Sequence, residues 1–345
     1  MKAGWNMVYD IEKANAVNYD RVEIEGRLTF ENDTAKEYEL KANMIIAYPG
    51  ELFIGNETHH YGAKAQLTLL GTPNMEGYAY NNDAIAGNKI LFVAGKLVVH
   101  GSDKFASIAS PNPIYTHLKA PAAKGQNKIS VVSTTGWAVD DEIVIAPTSY
   151  DYKQTEKRKI TAINTSTGEV TLDSNLEHPH YGAAAAESYT VGTETLNYDL
   201  RAEVGHLTRN VKIQGDGGRW GGQIVVVDFV DSNNTNFQGY TFLKNVEIRH
   251  MSQYDTSRAA LRLEKAGTTA DSLGSRVDRC SIWGSSAWAV ALNNAGNFTF
   301  VDNVVYDTHR NAYKVERITK MTMQRNLFLE NDEREFDKSI MLKDH

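Results

Sequence analysis

The chain of 345 residues is 41% hydrophobic and 23% charged, a composition typical of folded proteins rather than disordered ones. Its net charge of −7 is spread without long runs of one sign, which argues against nucleic acid and anionic membrane surfaces as partners. No window approaches the uninterrupted apolar length of a membrane span, so we expect no membrane contact within this chain.

The first hundred residues are dense in strand patterns and poor in helical ones. Short apolar runs such as RVEIEGRLTF (21–30) and NKILFVAGKLVVHG (88–101) are separated by glycines, and no apolar stripe with helical spacing occurs. The whole chain has 26 Gly and only 7 Pro, so most turns are predicted to be glycine turns. We predict an all-β protein whose residues 1–101 form its N-terminal coils.

The next segment has a different sequence pattern. Residues 124–151 and 158–182 alternate apolar and polar positions and are broken by polar turns, which is typical of consecutive antiparallel strands. Residues 102–200 are therefore predicted to be a connecting segment with a small β-barrel-like insert.

The last part of the chain repeats one short pattern. NVEIRHMSQ (245–253) recurs as RCSIWGSSA (279–287), NVVYDTHRN (303–311) and NLFLENDER (326–334). The outer apolar residues, Ile248, Ile282, Tyr306 and Phe328, are spaced by 34, 24 and 22 residues, and Ile213 lies 35 before the first.

Short strands at a nearly fixed period indicate a solenoid, in which each unit buries its apolar face only against its neighbours. We predict right-handed parallel β-helix repeats over residues 201–345, with a β-sandwich as the alternative. Two ladders are expected, one of Val246, Cys280, Val304 and Asn326 and one of Ile248, Ile282, Tyr306 and Phe328. Asn326 would then hydrogen-bond along its ladder.

Three segments together resemble a known family. AEVGHLTRNVKIQGDGG (202–218) and GKLVVHG (95–101) are similar to motifs of proteins that follow a G8 domain with parallel β-helix repeats. WAVDDEIVIAPTSYDYKQTEKRKI (137–160) resembles a third motif of that family, with Asp140 where a glycine is usual. The family includes fibrocystin, fibrocystin-like protein and the cell-migration-inducing hyaluronidase group, and the resemblance implies a G8-like part at the start of this chain.

Members of this family differ in whether they act on hyaluronan. Members that act on hyaluronan carry a histidine-rich run in the coil after the first repeat, where this chain has SRAALRLEKAG (257–267) with Leu261 and Leu263. Later coils offer Trp283, VALNN (290–294) and RNAYKV (310–315) in place of the further histidines. Because leucine and tryptophan cannot transfer protons or activate water, the resemblance implies the non-enzymatic, fibrocystin-like side, with no catalytic residues.

An enzyme with a displaced site remains an alternative. Polysaccharide lyases on β-helices use Ca²⁺ and a basic side chain, and arginines and aspartates do lie near one another in the repeats. These residues are Arg249, Arg258, Arg262, Arg279, Asp255, Asp278, Asp302 and Asp307. We favour salt-bridged, solvent-facing ladders for them, and we expect no cofactor and no metal, with Ca²⁺ as the alternative.

Histidines invite a metal assignment but lack partners at a suitable spacing. HPH (178–180) and THH (58–60) have no third ligand nearby in sequence, so exposed loop histidines are expected. His250 and His309 occupy similar turn positions in two repeats, and we expect separate roles for them rather than a shared site. The glycine-rich GDGGRWGG (215–222) lacks the ending of a phosphate loop and is predicted to be a turn.

Aromatic side chains supply a possible glycan site. Trp220, Trp283 and Trp288, together with Arg262, lie within seventy residues, and indole faces on a β-helix flank could stack on sugar rings. Packing at the ends of the coils explains the tryptophans equally well, and both interpretations stay open.

Cysteine and sequon content bear on the compartment. Cys280 has no other cysteine to pair with, and its place in a repeat favours a buried packing thiol. Asn32, Asn56, Asn164, Asn233 and Asn297 each begin an Asn-x-Ser/Thr sequon and are candidate glycosylation sites. The opening MKAGWNMVYD lacks the apolar core of a signal peptide and starts as though cut from a longer chain.

These observations lead to one functional hypothesis and two alternatives. We expect a non-enzymatic extracellular or cell-surface module, structural or adhesive, from a larger fibrocystin-like protein of a ciliary or surface coat or fibre. Its partners would be proteins or glycans, with self-assembly of copies left open. The alternatives are a polysaccharide hydrolase or lyase with a displaced site, and a glycan-binding module without turnover.

Overall fold

The computed structural model describes residues 1–80, 84–106, 114–268, 274–331 and 340–343, and strands and turns make up most of them. The chain divides into two compact units. The first comprises Met1–Asp103 with Arg209–His345, and the second comprises Lys104–Thr208. Two short 3₁₀ turns, Lys13–Asn15 and Tyr152–Gln154, are the helical elements found in the described ranges.

The first unit is built on three ladders of parallel strands, in which each strand hydrogen-bonds to the equivalent strand of the next coil. The first ladder contains β1 (Asn6–Tyr9), β3 (Arg27–Phe30), β5 (Glu51–Ile54), β10 (Lys96–His100), β23 (Tyr240–Lys244), β26 (Ser275–Asp278) and the second halves of β28 (Val290–Val301) and β30 (Tyr313–Gln324).

The second ladder contains the first half of β4 (Glu37–Ala47), β6 (Lys64–Leu69), β19 (Val211–Gly215), β24 (Val246–Arg249), β27 (Ser281–Ser285), β29 (Val304–Thr308) and β31 (Leu327–Asn331). The third contains β2 (Asn18–Ile24), the second half of β4, β9 (Ile90–Val93), β20 (Gln223–Val227), β25 (Leu261–Glu264), the first halves of β28 and β30, and β32 (Ile340–Lys343).

Every pairing in these ladders is parallel, and side chains that point inward form one continuous apolar core. This is the topology of a parallel β-helix, so the fold prediction is confirmed and the β-sandwich is excluded. Two antiparallel hairpins, β7 (Tyr78–Tyr80) with β8 (Ala84–Gly87) and β21 (Phe229–Val230) with β22 (Asn236–Phe237), project from the coils.

The β-helix of the first unit is continuous, although the second unit interrupts it in sequence. Strand β6 pairs with β19 through Leu67 and Ile213, and β10 pairs with β23 through Val99 and Leu243. Coils formed before residue 104 therefore stack directly on coils formed after residue 208 and share one core with them.

The most specific sequence motif, around residues 202–218, serves this continuation. Asn210 accepts a hydrogen bond from the amide of Ser102 (2.8 Å) and donates to the carbonyls of Tyr61 (2.8 Å) and Ala63 (2.6 Å). The Asn210 side chain thus joins the returning chain to the departing one. The motif is structural at this residue.

Arg279 makes contacts both where the chain leaves the β-helix before the second unit and where it returns. Its guanidinium contacts the carboxylate of Asp103 at 3.1 Å, at the point where the chain leaves the coil. Its carbonyl accepts a hydrogen bond from Nε of the buried Arg209 (3.0 Å), at the point where the chain returns. One residue of a later coil therefore fixes the exit and the return.

The repeat register agrees with the prediction in its first steps and differs by one residue afterwards. Ile213 pairs with Ile248 and Ile248 with Ile282, as expected. The next coils are both 23 residues long, so Ile282 stacks on Val305 and then on Phe328, and the ladder positions given to Tyr306 and Val304 were wrong. Because side chains alternate along a strand, this one-residue slip turns Tyr306 out of the core and brings Val305 in.

The corrected register creates an asparagine ladder inside the first unit. Asn303 replaces Val304 above Cys280, and its Oδ1 accepts the amide of Cys280 at 2.8 Å. Its Nδ2 donates to the carbonyl of Val277 (3.1 Å) and to Oδ1 of Asn326 (3.0 Å). The expected hydrogen bonding of Asn326 along the stack is confirmed, with one more member than the sequence indicated.

The second unit is a curved antiparallel sheet. Its strand order is β11 (Tyr115–His117), β18 (Glu203–His206), β13 (Glu142–Ile145), β14 (Glu156–Asn164), β15 (Glu169–Leu172) and β12 (Lys128–Ser130). A bridge between Leu118 and Val131 brings the two outer strands together around a separate apolar core, which confirms a barrel-like insert. A hairpin of β16 (Glu187–Val191) and β17 (Glu194–Tyr198) extends from it.

A buried ion pair lies inside this second unit. Asp141 accepts hydrogen bonds from Nε2 of His206 (2.8 Å), Nζ of Lys104 (3.0 Å) and the amide of Ala138 (2.8 Å). Burial raises the pKa of the Asp141 carboxyl, but the contacts with His206 and Lys104 outweigh burial and lower the pKa to about 2. The carboxylate is therefore charged at neutral pH and organises the loop around it.

The asparagine ladder supports a stability prediction. Replacing Asn303 by Ala would leave the buried Cys280 amide and Val277 carbonyl without side-chain partners, at a cost of about 2–4 kcal/mol in the free energy of unfolding. The exposed Asn297 of the same unit is the matched control, and Asn297→Ala should change the free energy of unfolding by less than about 0.5 kcal/mol. Urea unfolding monitored by circular dichroism measures both, and equal effects would contradict the ladder's role.

A second prediction concerns pH. His100 is fully buried with its ring 4.2 Å from that of Phe242, and burial lowers the pKa of His100 to about 4. The unfolded chain binds a proton at this histidine below about pH 6.5 and the folded chain does not, so stability falls as pH drops from about 6.5 to about 4. Between pH 7.5 and 5 this residue should account for about 2 kcal/mol.

The check compares urea midpoints of the wild type and His100→Leu at both pH values. The variant should lose less stability on acidification than the wild type by that amount. Identical losses in the two proteins would show that His100 is not buried in its neutral form.

Candidate functional site

The second ladder ends at a corner where the backbone is left-handed in successive coils. His250 (φ 53°), Gly284 (φ 63°), Asp307 (φ 52°) and Glu330 (φ 48°) occupy the same position in four coils, because their spacings match the strand register. Side chains at this corner stack in a row outside the core. Gly284 leaves a gap in that row between His250 and Asp307.

The gap opens into a pocket on the surface of the first unit. The pocket has a volume of about 210 Å³, and its lining residues include Arg219, His250, Tyr254, Ser285, Asp307 and His309. A Cβ atom added to Gly284 would lie 3.2 Å from Nδ1 of His250, so glycine keeps this space open.

One wall of the pocket is an aromatic side chain held by its neighbours. The Tyr254 ring packs against the guanidinium of Arg219 (4.6 Å to the ring centroid) and the ring of His309 (4.9 Å between centroids). The Tyr254 amide also donates to the carbonyl of Arg219 at 2.9 Å. The glycine-rich turn 215–222 therefore serves to carry Arg219 to this wall.

One residue of the pocket lining has a buried polar atom without a partner. Ser285 is 3% exposed, and its Oγ has no hydrogen-bond partner among the described residues. The backbone around it is fixed, because the Ser285 carbonyl accepts the amide of His309 at 2.8 Å. A buried hydroxyl without a partner is unusual in a folded protein. Because almost none of its surface is accessible, the Ser285 Oγ does not face the open space of the pocket.

The prediction for His180 was wrong, and the separate roles expected for His250 and His309 stay a prediction. His250 and His309, expected to have separate roles, line the same pocket, because the parallel register places their turns two coils apart, on either side of the coil that carries Gly284. His180, expected in an exposed loop, is buried in the second unit, where Nε2 contacts Oε1 of Glu156 (2.9 Å) and Nδ1 contacts the carbonyl of Ala146 (2.8 Å). A strand bridge from His180 to Ala122 turns its ring inward.

The other histidines of these motifs lie nearer the surface. His59 is exposed, while His60 and His178 are partly buried. In the described ranges, no group of three or more His, Cys, Asp or Glu side chains has an arrangement that could hold a metal ion.

Two of the three predicted tryptophans are nearly buried, and one of them packs against a residue of the pocket lining. Trp283 and Trp288 are each 5% exposed, with the Trp283 ring 5.2 Å from the ring of His250. The Trp288 ring lies 4.9 Å from the guanidinium of Arg310 and 4.7 Å from Nζ of Lys314. Both indoles therefore support polar side chains in this structure, and their stacking on sugars stays a prediction.

The third tryptophan and the predicted arginine lie elsewhere on the first unit. Trp220 is partly exposed and donates from Nε1 to Oδ1 of Asn88 at 3.0 Å. Arg262 is 8% exposed and donates to the carbonyl of Ala86 at 2.7 Å. Burial lowers the pKa of the Arg262 guanidinium.

The arginines and aspartates of the repeats form ion pairs, many of them with partners that the sequence did not single out. Arg249 pairs with Glu247 (3.2 Å) and Asp302 with Arg325 (2.7 Å). Asp278 pairs with Arg276, Arg279 with Asp103 and Asp255 with Arg310. Arg258 instead donates to Oε1 of Gln253 at 2.8 Å.

The five sequon asparagines are placed at accessible positions of the two units. Asn32, Asn164, Asn233 and Asn297 are exposed and Asn56 is partly buried. In Asn32, Asn56 and Asn164 the side-chain oxygen accepts backbone amides nearby. Their glycosylation stays a prediction.

The segment 257–267, which the sequence analysis compared with a histidine-rich run, contributes two leucines to the core. Leu261 is fully buried between Ile224 and Val290, and Leu263, 1% exposed, lies between Val226 and Leu292. Both leucines point into the β-helix, so these two positions present hydrocarbon to the interior and no functional group to solvent.

The sequence missed Tyr254, Arg219 and Ser285 because they come from three separate turns. Their proximity depends on the coil lengths of 34 and 23 residues, which only the pairing register reveals. The one local signal was Gly284 in IWGSS, a glycine at the corner position where the other coils carry side chains.

Comparison with known proteins places this chain in context. Residues 1–110 match the G8 domain family. Fibrocystin-L from Homo sapiens is 28% identical over 285 residues, which is 79% of this chain and 6% of that protein. Fibrocystin from Mus musculus is 30% identical over 224 residues, 65% of this chain and 5% of that protein.

A relative with an enzyme's name is also similar to this chain. The cell surface hyaluronidase of Danio rerio is 27% identical over 219 residues, 57% of this chain and 14% of that protein. Among solved structures, the tailspike protein gp49 from Pseudomonas phage LKA1 covers 94% of this chain and 42% of its own, with 11% identity. Its TM-score of 0.26 is too low to add to the fold assignment. The chain thus spans a small fraction of the curated relatives it matches.

The burial of Cys280 gives a third prediction. The thiol is fully buried in the β-helix core, and burial raises its pKa to about 12. Because the thiolate is the reactive form, the native protein should not react with a disulfide reagent such as DTNB over an hour at pH 8, and should release one thiol in 6 M guanidinium. Rapid labelling of the native protein would contradict this packing.

Proposed function

We propose that this chain, whose residues 1–110 match the G8 domain family, is a non-enzymatic module of an extracellular or cell-surface protein with a structural or adhesive role. The observation that carries the proposal is the hydrocarbon interior of the coil at 257–267. The resemblance places Leu261 and Leu263 near the positions of the histidines of hyaluronan-degrading members, and both leucines are buried in the core. Neither position can supply an acid, a base or a metal ligand.

The scaffold suits such a role. Successive coils of a parallel β-helix present the same outward positions in rows, which allows repeated contacts along one face. Similarity to fibrocystin-L and fibrocystin supports the non-enzymatic interpretation, while their far greater length means that the partners of those whole proteins are not transferred to this chain.

The location of the module is inferred on two grounds. A relative of this chain is named as a cell surface protein, and four of the five sequons are exposed. In the described residues, no helix is long and apolar enough to cross a membrane. Protein or glycan partners at the cell surface, and contacts between copies, are the interactions we infer.

A second candidate function is glycan binding without turnover. The pocket beside Gly284 favours it, because its lining combines the aromatic ring of Tyr254 with the guanidinium of Arg219 and the carboxylate of Asp307. Aromatic faces and orienting polar groups are the features by which proteins bind small polar ligands.

An incubation experiment separates the non-enzymatic proposal from the enzyme alternative. The protein at micromolar concentration is incubated overnight with hyaluronan, chondroitin and heparan chains, with Ca²⁺ and with EDTA, and chain length is followed by gel filtration. We expect no shortening in any sample, with a bacterial hyaluronidase as the positive control. Shortened chains that reappear with every preparation would overturn the proposal.

A further inference from the structure

We infer that the hairpin of β16 and β17 is a contact surface between copies of this chain, in which the outer edge of β17 pairs antiparallel with the same edge of a second copy. The inference rests on the contacts between copies that belong to the proposed function, and it assigns them to one surface of the second unit.

One face of this hairpin is apolar and exposed. Tyr189 lies opposite Leu196 in the pairing register, and Tyr198 lies two positions further along β17. Because side chains alternate along a strand, these residues share a face with Val191, while serine, threonine and asparagine side chains occupy the other face. The exposed fractions of the four apolar side chains lie between 43% and 61%. Exposed apolar surface of this kind indicates a place of protein contact.

The outer edge of β17 is open to a further strand. Within the residues that the structure describes, β16 and β17 form a two-stranded sheet with each other. A two-residue turn that begins at Gly192 (φ 64°) is closed by the pair of Val191 and Glu194. In this geometry the backbone N–H and C=O groups of Thr195 and Asn197 point away from β16. A two-stranded ribbon is marginally stable alone, so pairing with another strand would stabilise it.

This edge also lacks the features that usually prevent strands from pairing between molecules. Natural edge strands are commonly protected by lysine, by proline or by a β-bulge. The sequence of β17, ETLNY, contains no lysine, arginine or proline, and its register with β16 has no bulge. The strand is therefore suited to pairing with another strand.

The sequence of β17 is complementary to itself, which favours a second copy as the partner. In the antiparallel register that overlaps all five residues, Leu196 lies opposite the same residue of the second copy, and Glu194 lies opposite Tyr198. Each carboxylate then meets a phenol hydroxyl that can donate to it, and like charges do not face each other. In the described part of the chain, the side chains of Glu194 and Tyr198 make no hydrogen bond that would compete.

The edge of β16 is less suited to the same contact. The carboxylate of Glu187 already accepts hydrogen bonds from the hydroxyl of Tyr181 (2.6 Å) and the amide of Leu200 (3.2 Å). In the equivalent self-pairing of β16, Glu187 would lie opposite Val191, whose side chain cannot donate a hydrogen bond. The pairing is therefore assigned to β17.

We expect the free dimer to be weak. The shared edge is five residues long, and interfaces much smaller than about 1,200 Å² belong to weak or transient complexes. Copies held side by side at one surface would pair more readily, because confinement raises their effective concentration.

Disulfide trapping in the full chain tests this pairing. Leu196→Cys would place the two new sulfurs opposite each other, within disulfide reach for paired positions of an antiparallel sheet. The native Cys280 is buried, so it does not compete. The matched control is Tyr189→Cys, on the same face and similarly exposed, because two β17 strands would separate its copies. With oxidised glutathione, the Leu196→Cys dimer should form about tenfold faster on non-reducing gels.

Two other outcomes of the trapping would overturn the inference. Equal rates for the two cysteine variants would indicate random collision. Faster trapping of Tyr189→Cys would show that copies meet through β16 instead.

A pair of proline substitutions, made in the Leu196→Cys background, identifies the hydrogen-bonded edge. Thr190 and Thr195 are paired across the hairpin with their hydroxyls 3.1 Å apart, so proline at either position perturbs the hairpin similarly. Thr195→Pro removes an outward N–H from β17 and should reduce trapping to the rate of the control. Thr190→Pro removes one from β16 and should leave trapping unchanged. Equal losses in the two variants would refute the assignment to β17.

The two proposals fail separately. Absence of trapping would refute the pairing of copies and leave the non-enzymatic role intact, since the glycan incubation measures chain length alone. Shortened glycan chains would overturn the non-enzymatic role without changing the expected disulfide-linked dimer.

Discussion

The hydrogen-bonded register between successive coils is the constraint on which the rest of this protein depends. Each strand of the three ladders pairs with the equivalent strand one coil away, and inward side chains stack on their equivalents in the neighbouring coils. A shift of one residue would exchange the core face with the solvent face along a whole strand. Coil length therefore decides which residues are buried, which turns are neighbours and where polar side chains meet.

Much of this arrangement was accessible from the sequence. Alternating apolar runs predicted β-strands, and the recurring pattern from residue 245 predicted a parallel β-helix, including the stack of Ile213, Ile248 and Ile282. The resemblance to G8-containing proteins also holds. The later register was missed because Val304, Val305 and Tyr306 are all plausible core residues, so hydrophobicity alone could not fix the phase of the strand.

The pocket could not be predicted from the sequence, because it also depends on the register between coils. His250 and His309 are separated by 59 positions, and their proximity requires the two intervening coil lengths to be known. His180 shows the converse problem: its burial depends on pairing with Ala122, which no local pattern reveals. A feature set by strand alternation was predictable, whereas a feature set by contacts between distant turns was not.

The contacts that Arg279 makes with Asp103 and Arg209 bear on how such a chain could have been assembled. Since this arginine contacts Asp103 at the departure point and Arg209 at the return, the two ends are held by the host β-helix itself. None of the ladder pairings involves residues 104–208. The strand register of the β-helix therefore places no requirement on the length or the sequence of the barrel segment.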